Sequence, residues 1–155
     1  MAGDHVPPDP SPDPVALRAL LGPHAVLLVF DGWCGVCTRL VDWVRRRDAD
    51  NRVLVLPNQT PDLCAALGLS RAQVDRSIWA FDAQGCAYPA AAAMNRVLRE
   101  LPRWRWLGRL LDLPPILRVV TPCYYGFGAH RHRFARFGTL PACARPGARC
   151  RPLGQ

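Results

Sequence analysis

Six consecutive apolar residues, Ala25 to Phe30, end abruptly on Asp31-Gly32. A run of that length without polar alternation suits a strand covered on both faces and is too short for a buried helix. Cys34 and Cys37 come next, opening a segment with apolar residues at Val36, Leu40, Trp43 and Val44. Cys37 and Val41 share a flank, and Arg39, Asp42, Arg45 and Arg46 turn outward, which predicts a helix. The stretch from 25 to 44 thus reads strand, tight turn, Cys-x-x-Cys, helix.

This arrangement carries chemistry. A thiol where a helix begins faces backbone N–H groups without helical partners and the positive end of the helix dipole, and both favour thiolate. Such sites lower a thiol pKa to about 3.5–7.5, from about 8.5 for a free cysteine. Cys34 is therefore expected to be the exposed nucleophile, and Cys37, one turn on and nearer the core, the resolving thiol. Asp31, three residues before Cys34, is placed to cap the helix.

The competing reading is structural zinc, which needs two further ligands, usually as a second close pair. Cys64, Cys86, Cys123, Cys143 and Cys150 form no second Cys-x-x-Cys, and His130 and His132 are two apart, not the three to five of a zinc finger. No metal or other cofactor is expected. The alternative from another class is a non-catalytic domain that binds zinc through its cysteines or an anionic partner through its basic last third.

Asp31-Gly32-Trp33-Cys34-Gly35-Val36-Cys37 resembles the Asp-x-x-Cys-x-x-Cys signature of the DCC family of thiol-disulfide oxidoreductases. Leu56-Pro57-Asn58-Gln59 is similar to that family's Pro-Leu-Gln after its second strand. His130-Arg131-His132-Arg133 is similar to its late Asn-Arg-x-Arg, and Pro141-Ala142-Cys143 to its closing Ala-Cys. The resemblance spans about residues 25 to 145 and implies a thioredoxin-like fold that exchanges disulfides with a protein or low-molecular-weight thiol. It also implies that Asp31 accepts a proton from Cys37, and that Arg131 and Arg133 lie near the site, holding an anionic group or lowering a thiol pKa. Trp33, beside Cys34 as in the similar stretch of thioredoxin, is a candidate substrate contact, and Cys143 a candidate third thiol relaying oxidation. The cis-proline that thioredoxins carry before their third strand has no counterpart in Asp75-Arg76-Ser77.

All 20 basic residues are arginine, and their distribution is uneven. Residues 1–102 hold ten against eleven acids, whereas residues 103–155 hold ten against Asp112 alone. The surplus would steer an anionic substrate or partner. A basic cluster with aromatics can also bind nucleic acid, but no recognised module accompanies it, so no nucleic-acid partner is expected. Odd cysteine number and no signal-peptide pattern lead to a cytoplasmic expectation.

Residues 1–23, rich in Pro and Asp, read as a disordered tail with a short helical turn over Val15 to Leu21. Residues 24–145 are expected to form one domain, and 146–155 a flexible tail. Within the domain, Val53 to Leu56 is a second strand, expected parallel to the first. Short helices follow over Pro61 to Leu67 and after Ser70. Ser77 to Phe81 and Cys86 to Tyr88 form a hairpin, and a helix runs from Pro89 to Leu101. This βαβ then ββα order is that of an α/β, thioredoxin-like three-layer core with an added C-terminal helical and basic segment. In that segment Trp104 to Leu113 is an amphipathic helix with Trp106, Leu107, Leu110 and Leu111 apolar, broken at Pro114-Pro115, with another beginning over Ile116 to Val120. Its arginine and tryptophan could suit a membrane surface, but packing against the core is the commoner use of such a face.

Overall fold

The strand β1 (Val26–Phe30) is buried along its whole length, as an unbroken apolar run requires. The structure is a computed structural model and describes residues 10–130, 139–148 and 150. On one edge β1 pairs in parallel with β2 (Val53–Pro57), and on the other antiparallel with β3 (Trp79–Asp82), which pairs antiparallel with β4 (Ala87–Pro89). The sheet order β2-β1-β3-β4, with helices on both faces, is that of a thioredoxin-like fold.

Alternation along β1 divides the core in two. Val26, Leu28 and Phe30 face α2 (Gly35–Arg45) and α5 (Ala90–Glu100), meeting Val41, Val44, Val97 and Leu98. Leu27 and Val29 face the other layer, built by α1 (Pro14–Leu21), α3 (Leu63–Ala66) and α4 (Arg71–Arg76). The capping box expected at Ser70 is complete: its hydroxyl accepts from Gln73 N–H while the Gln73 side chain accepts from Ser70 N–H.

The helical turn expected over Val15 to Leu21 is α1, capped by Asp13 Oδ1 accepting from Val15 N–H at 2.9 Å, and it belongs to the packed core and not to a disordered tail. Leu17 and Leu21, one turn apart, are both buried against the sheet, so the ordered layer begins before His24. The phase of α6 (Arg105–Leu111) differs from the expected one. Trp104, at its N-cap, packs edge-on against Trp43 with ring centroids 5.1 Å apart, which turns Leu107 and Leu111 inward and leaves Trp106 63% exposed. The helix expected to begin over Ile116 to Val120 is α7 (Pro114–His130), which continues through Pro122.

Before β3, where thioredoxins place a proline, this chain uses a backbone N–H that proline lacks. Ile78 N–H donates to Tyr124 Oη at 3.2 Å, tying α7 to the sheet. Among the described residues no helix is long and apolar enough to cross a membrane.

A polar network closes the far end of β3 and α5. Asp82 accepts from Gln84 N–H and Cys86 N–H to shape the hairpin turn, and from Tyr88 Oη at 2.8 Å. Burial first, then that hydrogen bond, push Tyr88 up to about 12. Glu100 bonds Arg96 and Arg52. Burial taken singly would raise its pKa, but the two guanidiniums together hold it below the usual carboxylate range. A carboxyl lowered in this way stabilises the fold above its ordinary pKa, and the contribution is lost as pH falls through the lowered value. Glu100→Gln should therefore cost about 1.5–3 kcal/mol at neutral pH by urea unfolding and flatten the loss of stability in acid.

Candidate active site

The turn after β1 is held by short-range bonds. Cys34 N–H donates to Asp31 O at 3.1 Å, and Trp33 N–H to Asp31 Oδ1 at 3.0 Å. Cys34 itself is the N-cap of α2, in extended backbone, and its Sγ accepts from Cys37 N–H at 3.3 Å. Sulfur thus stands where a serine or aspartate oxygen usually caps a helix. The N–H donor and the helix dipole both favour negative charge on that sulfur. The capping role expected of Asp31 therefore belongs to Cys34, and Asp31 caps the turn before it.

Gln59, two residues beyond β2, joins this turn to the neighbouring strand. Its Oε1 accepts from Gly32 N–H at 2.9 Å and its Nε2 donates to Asp31 Oδ1 at 3.0 Å. One neutral amide thereby fixes both the backbone of the turn and the orientation of the carboxylate. Sequence reasoning reached Gln59 through a family motif and gave it no role.

A C-terminal strap completes the site, around a 3-10 turn at Ala142–Ala144. Ala142 N–H donates to Thr38 Oγ1 at 3.0 Å, Cys143 N–H to Gly32 O at 3.0 Å, and Arg145 grips both Asp42 oxygens at 3.2 and 2.6 Å. The Arg145 hydrogen bond holds the Asp42 carboxyl below its usual range against the opposing effect of burial. Thr38 is wholly buried, a polar residue on the core flank of α2. That placement was a signal of the strap that the sequence reading passed over.

One expectation about the cysteines is corrected. Cys34, expected to be the exposed thiol, is 9% exposed, while Cys37 is the more accessible. Capping folds the Cys34 side chain back onto the helix end, which encloses it. Cys143, the candidate third thiol, forms a disulfide with Cys150. That bond also anchors residue 150, which had been placed in a flexible tail. A disulfide sulfur carries no proton, so the 3.5 Å between Cys143 Sγ and Gln59 Oε1 is a contact, not a hydrogen bond.

Trp33 is half-buried, and its indole N–H is enclosed with no hydrogen-bond partner among the described residues. Arg131 and Arg133 lie outside the described residues. An apolar groove of about 420 Å³ flanks the cysteines through Val36, and Leu40, Trp43, Met94, Trp104 and Leu107 also line it, with Arg39 at its edge. Among the described residues no group of three or more His, Cys, Asp or Glu could hold a metal. Two thiols one helical turn apart, the first at the helix start, can undergo thiol–disulfide exchange.

The strap depends on the missing side chain at residue 32. A Cβ there would lie 2.5 Å from Cys143 Sγ, 2.7 Å from Gln59 Oε1 and 2.7 Å from Pro57 Cβ. Gly32→Ala should therefore displace the strap and cost about 1–3 kcal/mol, read by urea unfolding. Amide exchange at Cys143 should quicken with it.

A family model described as DCC1-like thiol-disulfide oxidoreductase matches residues 28–137, more than two thirds of the chain. The matched span contains Asp31, Cys34, Cys37 and Gln59 as well as Arg131 and Arg133. No curated protein and no solved structure matches. With the sheet order and the capped Cys-x-x-Cys in place, the match establishes that the chain belongs to the DCC1-like thiol-disulfide oxidoreductase family.

Proposed function

We propose that the protein is a dithiol–disulfide oxidoreductase in which Cys34 is the nucleophile and Cys37 the resolving thiol. The observation that carries this reading is the bond from Cys37 N–H to Cys34 Sγ at the start of α2. It favours thiolate at Cys34 and keeps the second thiol one turn away. The Cys34 thiolate attacks a substrate disulfide, forming a mixed disulfide and expelling one substrate thiolate. Cys37 then yields its proton to Asp31 and attacks the Cys34 sulfur. The second substrate thiol leaves, and a Cys34–Cys37 disulfide remains. Two electrons pass to the substrate, and the reverse sequence oxidises a substrate dithiol.

The remaining assignments rest on the bonds around Asp31, on position in the sequence and on charge. Asp31 is the proton acceptor, oriented by Gln59 and Trp33 N–H. Trp33, next to Cys34, contacts substrate. Arg131 and Arg133, within a region holding ten arginines against one acid, meet an anionic group on substrate or partner. Residues 24–145, with α1 added, act as a single unit, and a cytoplasmic setting would let the Cys-x-x-Cys cycle and not persist as a bridge.

Thiolate character favours Cys34 whereas accessibility favours Cys37, so labelling separates the two. Brief alkylation of reduced protein near neutral pH with a small reagent, followed by peptide mapping, should modify Cys34 first. Preferential modification of Cys37 would reverse the assignment. Cys37→Ser should accumulate a mixed disulfide with substrate at Cys34. Asp31→Asn should slow release from that intermediate by about 10²–10⁴-fold while barely altering its formation. Equal slowing of both steps would leave Asp31 a turn cap only.

A further inference from the structure

The Cys143–Cys150 disulfide is a redox-capable pair that the exchange described above does not use. We propose that it is a second redox centre, exchanging electrons internally with Cys34 and Cys37 and linking them to the protein surface. The proposal rests on the assignment of Cys34 as nucleophile.

Three observations carry it. The strap is bonded on both sides of the Cys-x-x-Cys: Cys143 N–H to Gly32 O, two residues before Cys34, and Ala142 N–H to Thr38 Oγ1, one residue after Cys37. The Arg145–Asp42 pair pins it one turn further along α2. Cys143 is thereby held at the helix end that the Cys34 sulfur caps. Second, the Cys143 sulfur occupies space that any side chain at residue 32 would take, since a Cβ there would come within 2.5 Å of it. Third, accessibility differs along the route. Cys34 is only 9% exposed, whereas Pro146, Gly147 and Ala148, in the loop that the disulfide closes, are exposed. An outside disulfide must reach an enclosed sulfur, while the internal one is already tethered, which favours reaction by prepaid positional entropy.

The step balances within the chain. The Cys34 thiolate attacks Cys143 Sγ, so a Cys34–Cys143 bond forms, the Cys143–Cys150 bond breaks, and Cys150 leaves as a thiolate that takes a proton from solvent. Cys37 yields its proton to Asp31 and attacks the Cys34 sulfur, forming Cys34–Cys37 and releasing Cys143 as thiolate. One dithiol is oxidised, one disulfide is reduced, and two electrons move without an outside oxidant. The half-buried Cys143–Cys150 dithiol, beside the exposed loop, then exchanges with a protein or low-molecular-weight disulfide.

The test uses the full chain carrying Cys37→Ser and Cys150→Ser, with the exposed Cys86 and Cys123 also changed to serine. Mild oxidation with diamide should give a monomer with a Cys34–Cys143 bond on peptide mapping. In parallel, Cys37→Ser is treated with 2,2′-dithiodipyridine, which reports capture of an external disulfide at Cys34. If Cys34 captures the probe but forms no bond with Cys143, the relay is overturned and the nucleophile assignment stands. If Cys34 does neither, both fall. Should the multiple variant fail to fold, the fully oxidised wild-type chain is given limiting dithiothreitol and mapped over time. Thiols should appear first at Cys143 and Cys150 and then at Cys34 and Cys37, and in Cys143→Ser/Cys150→Ser the Cys34–Cys37 disulfide should be reduced more slowly. Thiols appearing first at Cys34 and Cys37, or an equal rate in that variant, would overturn the relay.

Discussion

Burial of β1 from both sides is the constraint on which the remaining architecture depends. Its five side chains are all at or below 2% exposure, and full burial of each such residue contributes about 1.5–3 kcal/mol. That gain requires a helical layer on each face, with α2 and α5 on one side and α1, α3 and α4 on the other. The strand must then end where the layers end. Its last residue hands the chain to Asp31, so the turn that carries Cys34 emerges from the end of a central strand and not from a mobile loop.

Rigidity at that point is what makes the thiol chemistry specific. A sulfur at an N-cap is influenced by the helix only if its rotamer keeps it on the axis, and the bond from Cys37 N–H does this. The turn beneath it is held by the Gln59 amide, which bonds backbone and carboxylate together, and by the strap that fills the space beside Gly32. Hydrogen bonds from three separate parts of the chain therefore converge on four residues, Asp31 to Cys34. The enclosure they create also limits access to Cys34, giving a tethered disulfide an advantage over a diffusing one.

Much of this was legible in local pattern. The apolar run, the Asp-Gly break and the 3.6-residue spacing after Cys34 identify β1 and α2, and Ser70 with Gln73 announces α4, because strand burial and helix capping are short-range effects. Phase was less legible. The apolar residues of α6 could be rotated several ways, and the edge-on contact of Trp104 with Trp43 selects the one that exposes Trp106. The proline-rich opening showed α1 only as a short helical turn, because its two buried leucines count only once there is a sheet to bury them against.

By itself the sequence determined the order of elements, the placing of two cysteines at a helix start, and the family motif, since each depends on neighbours a few residues apart. Only the tertiary structure decided which thiol is enclosed, that Gln59 orients Asp31, and that Cys143 reaches Gly32 already bonded to Cys150. Those contacts join residues that lie 28 positions apart in one case and more than 100 in another. No periodicity or capping signal spans such a distance. They form because the sheet and α2 first create a surface on which the end of the chain can be hydrogen-bonded.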